Sequence, residues 1–226
     1  MYITILKIIT ILILVGLLSI QTIKRFLYFK PSNLNFGIPE GFKTVNYKKL
    51  LGISRTVGDK NKIILFLPDF TENFTFYNNH MEFLARAGYD SITYNYSGFN
   101  TPGIPSESQL IKDCKDMVIS LLEKYHLQNI IIFGNGMSSF LAMYTAMEFK
   151  MNKVIIKHPV KSINQKLGKH YPKIIFNEFN ILEKCSSYKG SILCFSNKPL
   201  IGFEKYNIEY YDKQDIKAIE EFINSK

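Results

Sequence analysis

The chain has 226 residues, of which 46% are hydrophobic and 14% aromatic, which is enough apolar material for a packed core and excludes a disordered chain. Its 28 Lys and Arg exceed its 19 Asp and Glu, so the formal net charge is +9. The basic residues are scattered, with no basic helix, zinc-ligand spacing or RNA-binding aromatic motif. We therefore expect no nucleic-acid partner.

The N-terminal segment is strongly apolar. Ile8 to Ile23 consists mostly of Ile, Leu, Val and Gly, and together with Met1 to Leu6 it is long enough to cross a bilayer, which takes about 20 residues. A cleaved signal peptide is the alternative, but no small-x-small cleavage site follows the apolar run. We predict a transmembrane anchor over residues 1–25 and one globular domain over residues 26–226.

The charges that flank this segment predict its orientation. Lys24, Arg25 and Lys30 follow it and outweigh Lys7 and the terminal amine. The positive-inside rule therefore predicts a single-pass protein whose domain lies in the cytosol. Membrane lipid is the partner that this anchor implies.

Beyond the anchor, short apolar runs alternate with amphipathic segments. Strands are predicted at Thr44–Tyr47, Ile53–Val57, Lys62–Leu67, Ser91–Tyr96, Ile130–Phe133, 153–156, 191–195 and 206–211. Helices are predicted at Phe74–Ala87, Ser106–Lys124, 138–149 and 213–224, and residues 159–190 form a connecting region. This alternation predicts an α/β domain with a mostly parallel sheet and helices on both faces.

The three cysteines show no metal-ligand spacing, and an odd number cannot all pair. Cys194 lies in an apolar strand and Cys114 in a helical pattern, so we predict buried, reduced thiols at both. Asp113 and Asp116 are expected on the solvated face of the same helix. No metal ion and no cofactor are expected.

The most informative segment is a strand, a sharp turn and a helix between residues 130 and 149. This context makes G-x-S-x-G meaningful as a nucleophile elbow, which presents a serine hydroxyl at the top of a sheet. Glycine tolerates the strained backbone of such a turn but has no side chain with which to attack. Here glycine stands where the serine is expected, in a turn formed by Gly134, Asn135, Gly136, Met137 and Ser138.

Other motifs occur in order along the chain: Phe26–Pro31 after the anchor, the strand and loop Ile63–Asn73, the turn Tyr94–Phe99, the capping step Pro105–Glu107, and Phe179–Lys184 ahead of Ile192. Together with the elbow, they resemble the α/β-hydrolase superfamily, in particular its membrane-anchored Bem-like branch. The resemblance runs from about Phe26 almost to the C-terminus. It implies an α/β-hydrolase fold.

The catalytic residues that this resemblance implies are missing at four places. Gly136 replaces the nucleophile, residues 196–202 contain no acid after the strand that should precede it, and residues 211–216 contain no histidine. A carboxylate at the start of the oxyanion loop would oppose the developing negative charge. That loop should begin His-Gly, and the chain instead has Pro68, Asp69 and Phe70.

Our first hypothesis is therefore a membrane-anchored pseudo-hydrolase that acts by binding an unknown protein partner or an apolar small ligand. If the elbow geometry persists, Gly136→Ser is expected to fold at a cost of about 1 kcal/mol, because a residue other than glycine takes a strained backbone conformation there.

The enzyme alternative is a weak serine hydrolase of the esterase or thioesterase type at a membrane surface. It would use Ser138 or Ser139 as nucleophile and His158 as base. The competing expectation is that both serines bond carbonyl groups near the turn.

A ligand-binding alternative remains beside these two. Phe70, Phe99, Met137 and His158 could line a pocket for an apolar ligand. Alternatively, Phe70 and Met137 fill the space left by the catalytic residues and close the pocket.

Overall fold

The structure is a computed structural model that describes residues 2–29, 37–58, 60–99, 105–167, 178–197, 199–212 and 216–225, with the side chains of residues 3, 21, 24–26 and 28 excepted. Helix α1 spans Tyr2–Tyr28, three residues beyond the predicted anchor. Among the described residues, however, no helix is long and apolar enough to cross a membrane, so the transmembrane segment predicted at 1–25 is not found there.

The described residues form one eight-stranded sheet in the order β1-β2-β4-β3-β5-β6-β7-β8. Strand β2 runs antiparallel to both of its neighbours, whereas every pairing from β4 to β8 is parallel. The mostly parallel sheet predicted from the sequence is confirmed. The strands are β1 Lys43–Tyr47, β2 Leu50–Arg55, β3 Ile63–Leu67, β4 Asp90–Tyr94, β5 Ile130–Asn135, β6 Lys153–Lys157, β7 Ser191–Phe195 and β8 Asn207–Tyr211.

Helices cover both faces of this sheet, which is why strands β3 and β4 are buried along their whole length. Helices α2 (Asn78–Arg86) and α7 (Ile216–Asn224) contribute to the apolar core on one face. The core on the other face includes side chains of α3 (Glu107–Leu121), α4 (Ser138–Glu148), α5 (Ile163–Leu167) and α6 (Ile181–Lys184). Two short 3-10 turns, Phe74–Tyr77 and Leu127–Asn129, complete the described elements.

No helix was predicted in the connecting region, residues 159–190, but the structure has α5 and α6 there. Helix α6 had a readable start signal: the Asn180 side chain accepts the Glu183 N–H at 3.3 Å and donates to the Glu183 carboxylate at 3.1 Å. Asn180 is thus the N-cap of the helix, and Asn followed three residues later by Glu is a sequence signature of such a start. The first residues of the predicted helix 213–224 lie outside the described residues.

The cysteines and one aspartate test the burial predictions. Cys114, Cys194 and also Cys185 are free and buried, as predicted for the first two. The prediction that Asp113 lies on a solvated face is wrong, because it is 3% exposed. Its carboxylate accepts the Ser97 N–H at 2.8 Å and the Ser97 hydroxyl at 2.9 Å, so it fastens the turn after β4 to α3.

Asp90, at the start of β4, connects three parts of the domain. Its buried carboxylate accepts the N–H groups of Val57 and Gly58 at 2.6 and 2.8 Å and the hydroxyl of Tyr125. Burial alone would raise the pKa of Asp90, but these hydrogen bonds together hold the pKa below its ordinary value. The ionised carboxylate is therefore the form that the fold stabilises.

This linkage predicts how acid destabilises the protein. Because the folded pKa of Asp90 is depressed, its contribution to the free energy of unfolding is complete above its ordinary pKa near 4 and is lost as the pH falls below that value. Tyr125→Phe removes one donor, so we expect a loss of about 1–3 kcal/mol at neutral pH. Acid unfolding should also begin at a higher pH. Chemical unfolding across pH 2–7, followed by circular dichroism, measures both effects, and an unchanged acid midpoint in Tyr125→Phe would contradict this account.

Candidate functional site

The elbow has the backbone that the sequence predicted. Gly136 lies between β5 and α4 with φ +56°, a left-handed conformation that costs a side-chain-bearing residue about 1–2 kcal/mol. Its N–H donates to the Lys157 carbonyl of β6 at 2.8 Å, and its carbonyl accepts the Val160 N–H at 3.4 Å. The turn is thus held by backbone contacts that need no catalytic side chain.

Gly134 permits the close approach of α4 to β5. A Cβ atom there would lie 2.6 Å from the Ser138 carbonyl oxygen and 2.8 Å from the Ala142 Cβ. Glycine is therefore required for packing at this position, independently of any chemistry.

The carboxylate of Asp69 occupies the place where the side chain of a nucleophile would project. A Cβ atom on Gly136 would lie 2.6 Å from both Cγ and Oδ1 of Asp69. The same Oδ1 accepts the Met137 N–H at 2.8 Å. In a nucleophile elbow, the N–H of the residue after the nucleophile is an oxyanion-hole donor. Here that donor is already paired with a negatively charged oxygen.

Two further side chains hold the second carboxylate oxygen of Asp69. The Thr71 hydroxyl and the Lys166 ammonium each donate to Oδ2 at 3.1 Å. Lys166 is on α5, in the connecting region, so three separate parts of the chain converge on one carboxylate. The Lys166 ammonium thus forms an ion pair with a carboxylate whose side chain is only 14% exposed.

Glu72 fixes the loop that carries Asp69. Its carboxylate accepts the Asp69 N–H at 3.2 Å and the Asn135 side-chain amide at 3.1 Å. The Tyr77 hydroxyl also donates to it at 3.2 Å. Asn135 belongs to the elbow, so this second contact ties the loop after β3 to the end of β5.

Neither serine beside the turn is arranged as a nucleophile. Ser138 is fully buried; its hydroxyl donates to the Pro68 carbonyl and accepts the Tyr96 hydroxyl at 2.8 Å. Burial raises the pKa of Tyr96 well above its ordinary value, so this phenol stays a proton donor and does not serve as a base. Ser139, also buried, donates to the Gly134 carbonyl at 3.2 Å.

His158 is placed at the carboxyl end of β6 but is not joined to either serine. Its side chain is exposed, and its backbone N–H donates to the Phe195 carbonyl at 2.9 Å. The hydrogen bonds of the Ser138 hydroxyl go to Pro68 and Tyr96 instead. The structure therefore does not bring together the base and nucleophile of the enzyme alternative.

Several aromatic side chains pack against one another near the elbow. Phe70 is fully buried, with its ring centroid 4.8 Å from that of Phe179 and 5.0 Å from that of Phe29. Met137 is also fully buried, and Phe99 is 8% exposed. Three of the four residues considered for a pocket lining are thus packed into the core, whereas the fourth, His158, is exposed. We call the set Phe29, Phe70, Tyr96, Phe99, Phe140 and Phe179 the aromatic cluster.

A cavity of about 490 Å³ lies at the opposite edge of the sheet, at the amino ends of the parallel strands. Lys62 and Lys153 line it, and both ammonium groups donate to the Ile223 carbonyl at the end of α7, at 3.2 and 3.3 Å. These lysines are therefore used to satisfy a helix C-terminus. The cavity is remote from the elbow.

Several residues of the site escaped the sequence analysis. Lys166 is an ordinary residue in a lysine-rich chain, and no local pattern marks it. Glu72 and Tyr96 lay within the motifs Ile63–Asn73 and Tyr94–Phe99 but were not assigned to the site. Phe179 lay within a motif but was not assigned to the site. Phe29, which follows α1 directly, was read only as part of a signature after the anchor.

The strand order and the elbow define an α/β-hydrolase-like fold, and comparisons with known proteins agree with this class. No family model and no curated protein matches the chain. It is similar to a solved α/β-hydrolase of Vibrio vulnificus, with a TM-score of 0.63 and 18% identity over 76% of this chain and 73% of that one. Esterase 2 of Thermogutta terrifontis, phosphonylated by sarin, has a TM-score of 0.59 and 13% identity over 84% and 94%.

The placement of Asp69 revises the expected cost of a side chain at residue 136. Gly136→Ala should lower the free energy of unfolding by about 1–2 kcal/mol through the left-handed backbone. The clash with Asp69 should lower it by about 1–3 kcal/mol more. Gly58→Ala is a matched control, because φ is +79° there and no atom lies within 4 Å of the added Cβ. We expect unfolding in urea to show a clearly larger loss for Gly136→Ala than for Gly58→Ala.

The clash itself is tested by a double-mutant cycle. Adding Asp69→Gly to Gly136→Ala should recover part of the loss, with a coupling free energy of about 0.5–3 kcal/mol. Simple additivity of the two single changes would show that Asp69 does not occupy the space next to Gly136.

Proposed function

We propose that the protein is a membrane-anchored α/β-hydrolase-like protein without hydrolase activity, which acts by binding. The observation that carries this proposal is the contact between Asp69 and the elbow. One carboxylate takes the space of a nucleophile and also accepts the Met137 N–H at 2.8 Å. Both the attacking group and one donor for the oxyanion are thereby removed from use.

The absence of the other expected catalytic residues also supports a protein without hydrolase activity. Residues 196–202 carry no acid and residues 211–216 carry no histidine. Such groups act as a unit, and the loss of one already removes most of the rate. With a nucleophile, an acid, a base and an oxyanion donor all missing or blocked, no pair of these groups is left to act together.

The similarity to a solved hydrolase and a solved esterase would favour the enzyme alternative, but at 13–18% identity it concerns the fold and not the catalytic residues. The alternative requires a serine hydroxyl within about 2.6–3.2 Å of a base. Ser138 instead accepts a hydrogen bond from a phenol that keeps its proton, and this makes the serine oxygen a weaker nucleophile. Ser139 is committed to the Gly134 carbonyl.

The membrane part of the proposal rests on α1. Large apolar side chains are exposed along the length of this helix and on several of its sides, among them Leu6, Leu12, Leu14 and Leu18. Exposed apolar side chains in this number favour an apolar surrounding. We take lipid to be that surrounding, with the domain on the cytosolic side, as the flanking basic residues predict.

The absence of activity is tested by labelling with a fluorophosphonate, which reacts with activated serines. We expect no labelling of the full chain under conditions that label the Thermogutta terrifontis esterase completely, because neither Ser138 nor Ser139 has a base. Ser138→Ala and Ser139→Ala should behave like the unchanged protein. Stoichiometric labelling that disappears in either variant would establish the enzyme alternative.

The anchor is tested with a matched pair of leucine substitutions. The full chain should stay with membranes during an alkaline carbonate wash. Leu14→Arg should release it at least in part, since an arginine near the middle of a span costs about 2.5–3.5 kcal/mol. Leu122→Arg, at an exposed leucine outside α1, should remain bound. Complete release of the unchanged chain would contradict the anchor.

A further inference from the structure

The end of α1 packs against the domain at the carboxyl ends of the parallel strands, which we call the carboxyl edge of the sheet. The helix ends at Tyr28, and the next residue, Phe29, is 3% exposed. The Phe29 ring packs against Phe70 at 5.0 Å, Phe179 at 5.9 Å and Phe99 at 6.1 Å between centroids. Leu27, on the last turn of α1, packs against the same apolar core.

These contacts define the position of α1 relative to the sheet. Phe70 lies in the loop after β3, and Phe99 lies in the turn after β4. Both loops follow the carboxyl ends of parallel strands, and Gly136 follows the end of β5 at the same edge. A single residue spans only about 3.3–3.6 Å, so the end of α1 cannot lie far from this edge.

From this geometry we propose that the carboxyl edge of the sheet, which contains the elbow and the aromatic cluster, faces the lipid headgroups. The inference rests on the proposed membrane attachment of α1 and adds the orientation of the domain. The amino edge, with its lysine-lined cavity, then points away from the bilayer. The face that was a catalytic entrance in an active hydrolase thereby becomes the lipid-facing surface of this protein.

The charged groups at this edge are compatible with a headgroup layer. The carboxylates of Asp69 and Glu72 are tied to the elbow by the contacts with Met137 and Asn135. Lys157 is the last residue of β6 and is half-buried, and Lys161 lies four residues beyond it. Positive charge near an anionic leaflet is favourable.

A pair of probes at the two edges tests this orientation. Asn197 is exposed two residues beyond the end of β7, and Asn152 is exposed just before the start of β6. Strands of five residues separate these ends by about 17 Å. Asn197→Cys and Asn152→Cys would each carry the same thiol-linked fluorophore, in the full chain reconstituted into phosphatidylcholine–phosphatidylserine vesicles.

The native thiols should not compete in this labelling. All three cysteines are buried, and burial raises the pKa of Cys114 to about 11 and those of Cys185 and Cys194 to about 12. They therefore stay protonated and unreactive at neutral pH.

A lipid with a spin label on its headgroup should quench the Asn197→Cys probe and leave the Asn152→Cys probe nearly unchanged. Phe29→Ala should abolish this difference while the protein still sediments with vesicles, because it removes the contact that fixes α1 to the edge. Equal quenching of the two probes, or stronger quenching of Asn152→Cys, overturns the orientation. A difference that survives Phe29→Ala supports the orientation but overturns the role of Phe29 as the contact that sets it. If the chain does not sediment with vesicles at all, the proposed anchor fails and the orientation fails with it.

Discussion

The contact between the Asp69 carboxylate and the elbow determines what the site can do. A nucleophile elbow offers two things to a reaction: a side chain at its tip and a backbone N–H that stabilises negative charge beside it. Asp69 uses both, because it fills the space next to Gly136 and accepts the Met137 N–H. Lys166 and Thr71 donate to its other oxygen, so both oxygens of the carboxylate have hydrogen-bond donors.

The elbow keeps its backbone conformation because other parts of the fold depend on it. Gly136 donates to the Lys157 carbonyl and so links β5 to β6, and Gly134 allows α4 to lie directly on β5. Unpaired backbone groups in a buried turn would cost about as much as a lost hydrogen bond each. Loss of a catalytic side chain carries no such penalty. Packing and backbone hydrogen bonds therefore maintain the turn without a side chain at its tip.

The sequence predicted the sheet and most of its helices because both depend on local patterns. Buried parallel strands are short apolar runs such as 63–67 and 130–133, and their alternation with amphipathic segments fixes the class of fold. The missing nucleophile was readable for the same reason. The contact of Asp69 with Met137 was not, since it joins residues 68 positions apart, and Lys166 is 97 positions from Asp69. Contacts of this kind depend on loop conformations that no short pattern encodes.

The same contact determines which change must come first if a serine is to be placed at the elbow. A serine at residue 136 cannot be accommodated while the Asp69 carboxylate lies 2.6 Å from its Cβ position, so the oxyanion loop has to change before the nucleophile does. Phe70 follows Asp69 directly and belongs to the aromatic cluster that also holds Phe29. A change of backbone at Asp69 therefore disturbs the packing between the domain and the end of α1. The blocked site and the position of the helix are thus parts of one structure, joined through a single loop.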